Sequence, residues 1–237
     1  MMKAYAVILG GGSGRRMDAG INKVFLPLRG VPAIVRATAP FSALCAGAVV
    51  VAGADELDTM TSLLSRYGLS RFVISVVAGG TDRQASVHNG LAALPEDAEA
   101  VLIHDGARAL VTEDVIRRAL DSVATHGSGV AAVPVTDTIK RARPNGEVIE
   151  TPCRDELYAM QTPQGFRTQL ILRAHEQAAR EGYTATDDAA LLERAGQPVY
   201  LSQGDRENLK LTTPVDLALA EEILKQRIER ETEDEAR

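Results

Sequence analysis

The chain has 237 residues, 45% of them hydrophobic and 24% charged, enough for one sizeable core, so a single domain over residues 1–237 is expected. A net charge of −6 argues against a general nucleic-acid surface, so an anionic ligand would need a local basic cluster. No apolar run approaches the roughly 18 residues of a membrane span, no signal peptide is evident, and Cys45 and Cys153 lack disulfide or metal spacing, so cytoplasm is the expected compartment.

In chain order, the first expected strand covers residues 5–9 and runs straight into Leu9-Gly10-Gly11-Gly12-Ser13-Gly14-Arg15-Arg16-Met17. Glycines here let the backbone approach a ligand and aim its N–H groups at phosphate oxygens. The run is not a P-loop, because no Lys-Ser/Thr follows. It is not a dinucleotide fingerprint either, since Arg15 or Met17 falls where the last glycine belongs. What remains is a glycine loop followed by Arg16 and, seven residues on, Lys23: a planar fork and a compact mobile charge. That set suits a triphosphate attacked at its α-phosphorus. A tight strand–helix turn with solvated basic residues is the other reading.

A helical stretch over 33–46 contains Pro40, which predicts a kink or break. Nearly continuous apolar runs predict buried strands at 48–52, 72–77, 100–104 and 129–135. Between them the periodicity predicts helices over 56–67, 82–94 and 113–125. The last is the clearest, with Thr112 as its cap, Glu113 and Asp114 in its first turn and Gly127 as its stop. Residues 136–162 break this rhythm. Strand-like pieces at 138–141 and 148–151 flank Pro144-Asn145-Gly146, which predicts a projecting β-hairpin arm. Helices over 168–181 and 187–195, a short strand at 199–201 and a helix from Pro214 follow, and the charged stretch 227–237 is expected to fray. The fold class is therefore α/β, Rossmann-like, with a mostly parallel twisted sheet flanked by helices. Ligands in such sheets bind beyond the carboxyl ends of the strands, which is where Asp105 falls. A turn-former or cap is the plainer account of that aspartate.

At this point the residues carry a resemblance. Gly10 to Met17 with Lys23-Val24-Phe25-Leu26-Pro27-Leu28 resembles the signature of sugar-phosphate nucleotidyltransferases. Gly79-Gly80-Thr81-Asp82-Arg83-Gln84-Ala85-Ser86-Val87-His88-Asn89-Gly90-Leu91 and His104-Asp105-Gly106-Ala107-Arg108 narrow it to the 2-C-methyl-D-erythritol 4-phosphate cytidylyltransferase family. Asp137-Thr138-Ile139-Lys140-Arg141, Gln161-Thr162-Pro163-Gln164-Gly165-Phe166, Thr186-Asp187-Asp188 and Asn208-Leu209-Lys210 agree, in matching order from residue 5 to about 225.

The resemblance implies transfer of CMP from CTP to a sugar-alcohol phosphate, with Mg²⁺ as cofactor. It implies that Gly10, Gly11, Gly12, Ser13 and Gly14 bind the triphosphate, and that Arg16 and Lys23 stabilise charge at the α-phosphate. Gly80, Thr81, Arg83 and Ser86 match the segment reading cytosine, and Asp105 and Gly106 the positions serving ribose and metal. Lys210 matches a lysine aligning the acceptor phosphate, while Thr138, Arg154 and Thr186 match acceptor contacts. Arg154 belongs to an arm that in the family reaches a second subunit's site, so a homodimer with exchanged arms is implied. Two positions depart: Ala109 stands where the family has proline, and Thr81 where an acidic residue is common.

Elementary chemistry points the same way. An acceptor phosphate is already anionic at pH 7, so no strong base is needed, and the obstacle is bringing two polyanions together. His88, His126 and His175 are scattered and read as ordinary side chains; His104 reads as a residue orienting the Asp105 loop or, more simply, as a packed strand-end histidine, and Asp187-Asp188 equally as a second acidic site or as helix-start acids. A ribitol-5-phosphate cytidylyltransferase on the same scaffold is the nearest rival, though Gly14-Arg15-Arg16-Met17 favours the methylerythritol acceptor. A non-catalytic nucleotide-binding module would not need Lys23, Asp105 and Lys210 together.

Overall fold

A computed structural model describes residues 2–11 and 22–235. Gly12, Ser13, Gly14 and Arg16, four of the expected ligand contacts, lie outside the described residues. The elements run β1 (Ala4–Leu9), a 3-10 turn at Lys23–Phe25, β2 (Pro27–Leu28), β3 (Val31–Pro32) and α1 (Ala33–Thr38). Then come β4 (Gly47–Ala52), α2 (Leu57–Arg66), β5 (Val73–Ala78), α3 (Arg83–Ala92), β6 (Ala100–Asp105), α4 (Glu113–His126) and β7 (Ser128–Pro134). The remainder is β8 (Arg141–Ala142), β9 (Val148–Glu150), β10 (Tyr158–Arg167), α5 (Thr168–Glu181), α6 (Asp188–Arg194), β11 (Leu201–Gln203) and α7 (Pro214–Glu235).

Among the described residues the central sheet has seven strands in the order β11-β7-β10-β6-β1-β4-β5. Of these, β10 alone runs antiparallel to its neighbours. The sheet is thus mixed and mostly parallel, as expected. Strand alternation sends Ala6, Ile8, Val50 and Leu102 to one face, against Ile34 of α1, Met60 and Leu64 of α2 and Ile116 of α4. It sends Val7, Val51, Val101 and Ile103 to the other, against Val87 and Leu91 of α3, Ile171 of α5 and Leu192 of α6. Both faces are covered, so both sets of positions are apolar. A separate cluster joins Leu28, Ala107, Ala109 and Leu211 to Ala220 and Leu224 of α7. Ala109 is buried there, so packing rather than a proline ring fixes the loop after β6.

The break that Pro40 predicts in the helical stretch over 33–46 is present: α1 ends at Thr38 and the chain continues as a 3-10 turn through Ala39–Ala43, with Pro40 near its start. Two elements differ from the sequence expectation. The strand expected at 199–201 is Leu201–Gln203 instead. Most consequentially, residues 158–162, assigned to the arm, open the long strand β10 in the middle of the sheet. Polar residues and Pro163 disguise it, because proline removes a ladder donor. The strand tolerates Pro163 because its pairing with β7 shifts register between Met160 and Gln164. The arm's own strands, β8 and β9, form a separate two-stranded sheet, and residues 136–151 are exposed throughout. Among the described residues no helix is long and apolar enough to cross a membrane.

A close approach of helix to sheet gives a test of this packing. A Cβ on Gly90 of α3 would lie 2.5 Å from Val7 Cγ1 and 3.0 Å from Val51 Cγ2, both on packed strands. Gly90→Ala is expected to lower the unfolding free energy by about 1–3 kcal/mol, despite alanine's better helix propensity. Urea unfolding should show a reduced midpoint at unchanged slope.

Candidate active site

The strand order creates a crevice. From β1 the chain builds outward through β4 and β5, then returns so that β6 lies on the other side of β1. The loops after β1 and β6 therefore diverge, at the kind of switch point where α/β sheets bind ligands. Gly106 N–H donates to the Leu9 carbonyl at 2.9 Å, closing the floor of the crevice. A Cβ on Gly106 would meet Leu9 O at 2.8 Å and Ile34 Cδ1 at 2.6 Å, so only glycine allows this approach. Gly10 N–H donates to Val51 O at 2.7 Å. The Gly10 carbonyl accepts from Asn22 Nδ2 at 2.8 Å, which ties Asn22 to the residue that follows β1. Asn22 also caps the 3-10 turn that opens with Lys23, so this lysine's backbone is fixed beside the end of β1.

Asp105 ends β6 and is 8% exposed. Lys210 Nζ meets its Oδ2 at 2.8 Å, while Arg108 Nε lies 3.8 Å from Oδ2 and Arg83 Nε 3.8 Å from Oδ1. Burial works against this carboxylate's charge. The charges of Lys210 and Arg83, the Lys210 hydrogen bond and the charge of Arg108 outweigh it and hold its pKa below the usual carboxylate value. The three cations come from separate parts of the chain, and each has its own anchor. Arg83, in the first turn of α3, pairs at 2.7 Å with Asp188, which is fully buried at the start of α6. Arg108 Nη1 donates to the Asn208 carbonyl at 2.7 Å. Lys210 follows Asn208, whose Nδ2 donates to Thr162 O on β10 at 2.8 Å.

His104, the buried residue of β6 before Asp105, packs its ring against Phe41. Its Nδ1 is 2.9 Å from Thr162 Oγ1 and its Nε2 is 3.2 Å from Arg108 O. Burial pushes its pKa down to about 4, so the ring is neutral at pH 7. The Asp105 backbone N–H donates to the same Thr162 hydroxyl at 3.0 Å.

The loop between β5 and α3 holds Gly80 and Thr81, and Ser86 lies in the first turn of α3. Ser86 Oγ accepts from Gly80 N–H at 3.0 Å and donates to Asp82 O at 2.7 Å. A Cβ on Gly80 would collide with that of Ala85, so the loop lies flat on the first turn of α3. Thr81 is exposed, and its neighbour Asp82 is spent on the helix cap through Ala85 N–H. Thr186 is exposed just before the Asp187 cap of α6. Thr138 and Arg154 lie on the exposed arm, where Arg154 Nη1 donates to Thr136 O at 3.3 Å.

Of the expected site residues, the structure thus brings together Arg83, Asp105 and Lys210, with Gly10 and Gly106 at the floor between them. Arg108, Asn208 and Thr162 were visible as motif members but carried no assigned role. Asp187 and Asp188 both stand at the start of α6, as one of their two readings had it: the Asp187 side chain accepts from Ala190 N–H at 2.9 Å, and Asp188, in the first turn, also braces Arg83. Among the described residues no group of three or more His, Cys, Asp or Glu is arranged to hold a metal ion unaided.

Comparison with known proteins covers almost the whole chain. The family model for 2-C-methyl-D-erythritol 4-phosphate cytidylyltransferase matches residues 4–226. The enzyme of that name from Thermosynechococcus vestitus is 46% identical over 231 residues, covering 96% of this chain and 97% of its own. That from Geobacillus thermodenitrificans is 46% identical over 230 residues, covering 96% and 99%. The crystal structure of 4-diphosphocytidyl-2C-methyl-D-erythritol synthase from Anaerococcus prevotii superposes with a TM-score of 0.84 at 27% identity, covering 94% of this chain and 96% of that one.

The charge balance at Asp105 has a pH signature. A carboxyl whose folded pKa is depressed adds stability in full above its unfolded pKa of about 4 and loses it as pH falls through the folded value. Lys210→Met removes the largest depressing charge. The Asp105 carboxyl should then titrate at higher pH in carbon-13 NMR, and acid unfolding should begin at higher pH than in the wild type.

Proposed function

The chain belongs to the 2-C-methyl-D-erythritol 4-phosphate cytidylyltransferase family, and from that premise we propose how its residues carry the reaction. It is a nucleotidyltransferase that moves CMP from CTP to 2-C-methyl-D-erythritol 4-phosphate, releasing pyrophosphate in isoprenoid precursor synthesis. An acceptor phosphate oxygen bonds to the α-phosphorus of CTP as the bond from that phosphorus to the bridging oxygen breaks and pyrophosphate leaves. The nucleophile is already an anion, so the protein's task is placement and charge compensation.

The observation that carries the site assignment is the gathering of Lys210, Arg83 and Arg108 around Asp105 at the strand switch point. Lys210 is the more exposed partner, on a flexible stem, and turns from Asp105 to the acceptor phosphate. The glycine loop from Gly10 to Gly14 binds the triphosphate, with Arg16 and Lys23 stabilising charge at the α-phosphate. Gly80, Thr81, Arg83 and Ser86 form the cytosine side, where Ser86 shapes the loop through Gly80 and Asp82. Asp105 and Gly106 serve the ribose. A lone buried carboxylate fits Mg²⁺, which takes one or two carboxylates and completes its shell with phosphate oxygens and water, so Asp105 is the residue that would hold it. When bound, the ion supplies further neutralisation of the phosphates and of the leaving pyrophosphate.

The acceptor side is completed by Thr186, by Thr138 and by Arg154, the last reaching the site of a second subunit from the arm. Exposed Ile139, Val148 and Ile149 support this homodimer, since they give a partner apolar surface to cover. Cytoplasm is the compartment that fits two free cysteines and these metabolites.

With CTP and Mg²⁺, pyrophosphate release should be supported by methylerythritol phosphate and not by ribitol phosphate, and UTP or ATP should not replace CTP. Turnover with ribitol phosphate alone would reverse the acceptor assignment. Lys23→Ala should lower kcat by roughly 10²–10³, the usual loss for one transition-state charge partner. An unchanged rate in the folded variant removes Lys23 from that role. For arm exchange, mixing the impaired Arg154→Ala and Lys23→Ala proteins should restore partial activity in mixed dimers. Verified mixed dimers without activity would place each site within one subunit.

A further inference from the structure

We propose that His104 is a positioning residue for cytidylyl transfer, holding the Asp105–Arg108 turn through a single tautomer of its ring. The inference deepens the reading of Asp105 as part of the reacting centre and rests on it.

The hydrogen-bond inventory assigns the tautomer. A threonine hydroxyl has one proton to give. The Arg108 carbonyl can only accept, so His104 Nε2, 3.2 Å from it, carries a proton. In a neutral ring Nδ1 is then the acceptor and takes the proton of the Thr162 hydroxyl at 2.9 Å, while Thr162 Oγ1 accepts from Asp105 N–H at 3.0 Å. Both ring nitrogens are satisfied in a residue that is wholly buried. The ring lies against Phe41, with centroids 5.1 Å apart, so its plane is held as well.

These bonds grip both ends of the turn that presents the carboxylate. Asp105 is fixed at its N–H through Thr162, and Arg108 at its carbonyl through the imidazole. The turn's own bond, Arg108 N–H to Asp105 O at 2.9 Å, closes the loop between them. Thr162, which receives Asp105, is also the residue whose carbonyl takes Asn208 Nδ2, two positions before Lys210. His104 thus sets the Asp105 carboxylate and the Arg108 guanidinium against one strand to which the Lys210 loop is also tied. A small displacement of such a group costs rate far more than binding.

The test compares His104→Phe, His104→Asn and His104→Gln in steady-state kinetics. Phenylalanine keeps the ring against Phe41 and loses both bonds. Asparagine can take the Thr162 proton but does not reach Arg108 O, and glutamine places an N–H near the Nε2 position. Phe and Asn should lower kcat roughly 10- to 100-fold, with each KM within about threefold, and Gln should recover most of the loss. In an Asp105→Asn background, His104→Phe should cost no more than about twofold further, because the shared element is already lost. Wild-type kcat in a folded Phe variant, equal kcat for Asn and Gln, or a loss confined to KM would overturn the proposal. If the Phe variant does not fold, the Asn–Gln comparison and the same cycle with Asn decide it. Impaired Asp105→Asn with a fully multiplicative His104 effect overturns the positioning role alone. Full activity of Asp105→Asn would instead overturn the reading of the centre, and this proposal with it.

Discussion

A carboxylate taken almost wholly out of water must be compensated on the spot, and the arrangement around Asp105 is the consequence. Three positive side chains converge on it from the start of α3, from the turn after β6 and from the loop before α7. They are not equivalent. The two guanidiniums are tied elsewhere, Arg83 to Asp188 and Arg108 to the Asn208 carbonyl, and stand 3.8 Å from the carboxylate. The lysine touches it directly but carries its charge on a flexible, more exposed stem. In the proposed mechanism Lys210 leaves for a phosphate while the arginines keep Asp105 compensated, so that binding a polyanion would not strand a buried charge.

The same constraint explains why the fold places the cluster where it does. Parallel strands put all their carboxyl ends on one side of the sheet, and reversal of strand order beside β1 separates the loops there. The crevice is narrow, as the crowding at Gly106 against Leu9 and Ile34 indicates. The insertion of β10 between β6 and β7, running the other way, gives the site its third wall. An antiparallel strand here brings residues from late in the chain against the end of β6, which parallel crossovers alone would place farther along the sheet.

How much of this was legible in the sequence follows from what each signal measures. The parallel strands are covered on both faces, so continuous apolar runs such as 48–52 and 100–104 announced them. α4 carried its own cap and stop in Thr112 and Gly127, and the structure uses both. β10 was hidden because its buried half reads Gln161-Thr162-Pro163-Gln164, polar residues and a proline that belong to a bulge rather than to a regular ladder. At the site, Arg83, Asp105 and Lys210 were accessible through their motifs, and the resemblance supplied their roles. Asp188 and Asn208 stood in motifs too, but their roles were not legible, because each matters through a partner more than 40 residues away. Local spacing has no access to such pairs.

Those hidden residues share one logic. Three polar side chains of β10 each hold a different loop by its backbone. Gln161 donates to Asp205 O at 2.7 Å and accepts from Asp205 N–H at 3.2 Å, fixing the segment that leads to Lys210. Thr162 takes the Asp105 N–H. Gln164 Oε1 accepts from the N–H groups of Asp188 and Ala189, both at 3.1 Å, and so sets the start of α6 and with it the brace on Arg83. Charges alone would draw these loops together without fixing their orientation, since Coulomb attraction has little angular preference. Buried amides and hydroxyls supply the angles, because an unmet hydrogen bond at such a site is costly. The motif Gln161-Thr162-Pro163-Gln164 therefore acts as a ruler between three loops: it grips them by their backbones, and so determines where two of the three cations around Asp105 can stand.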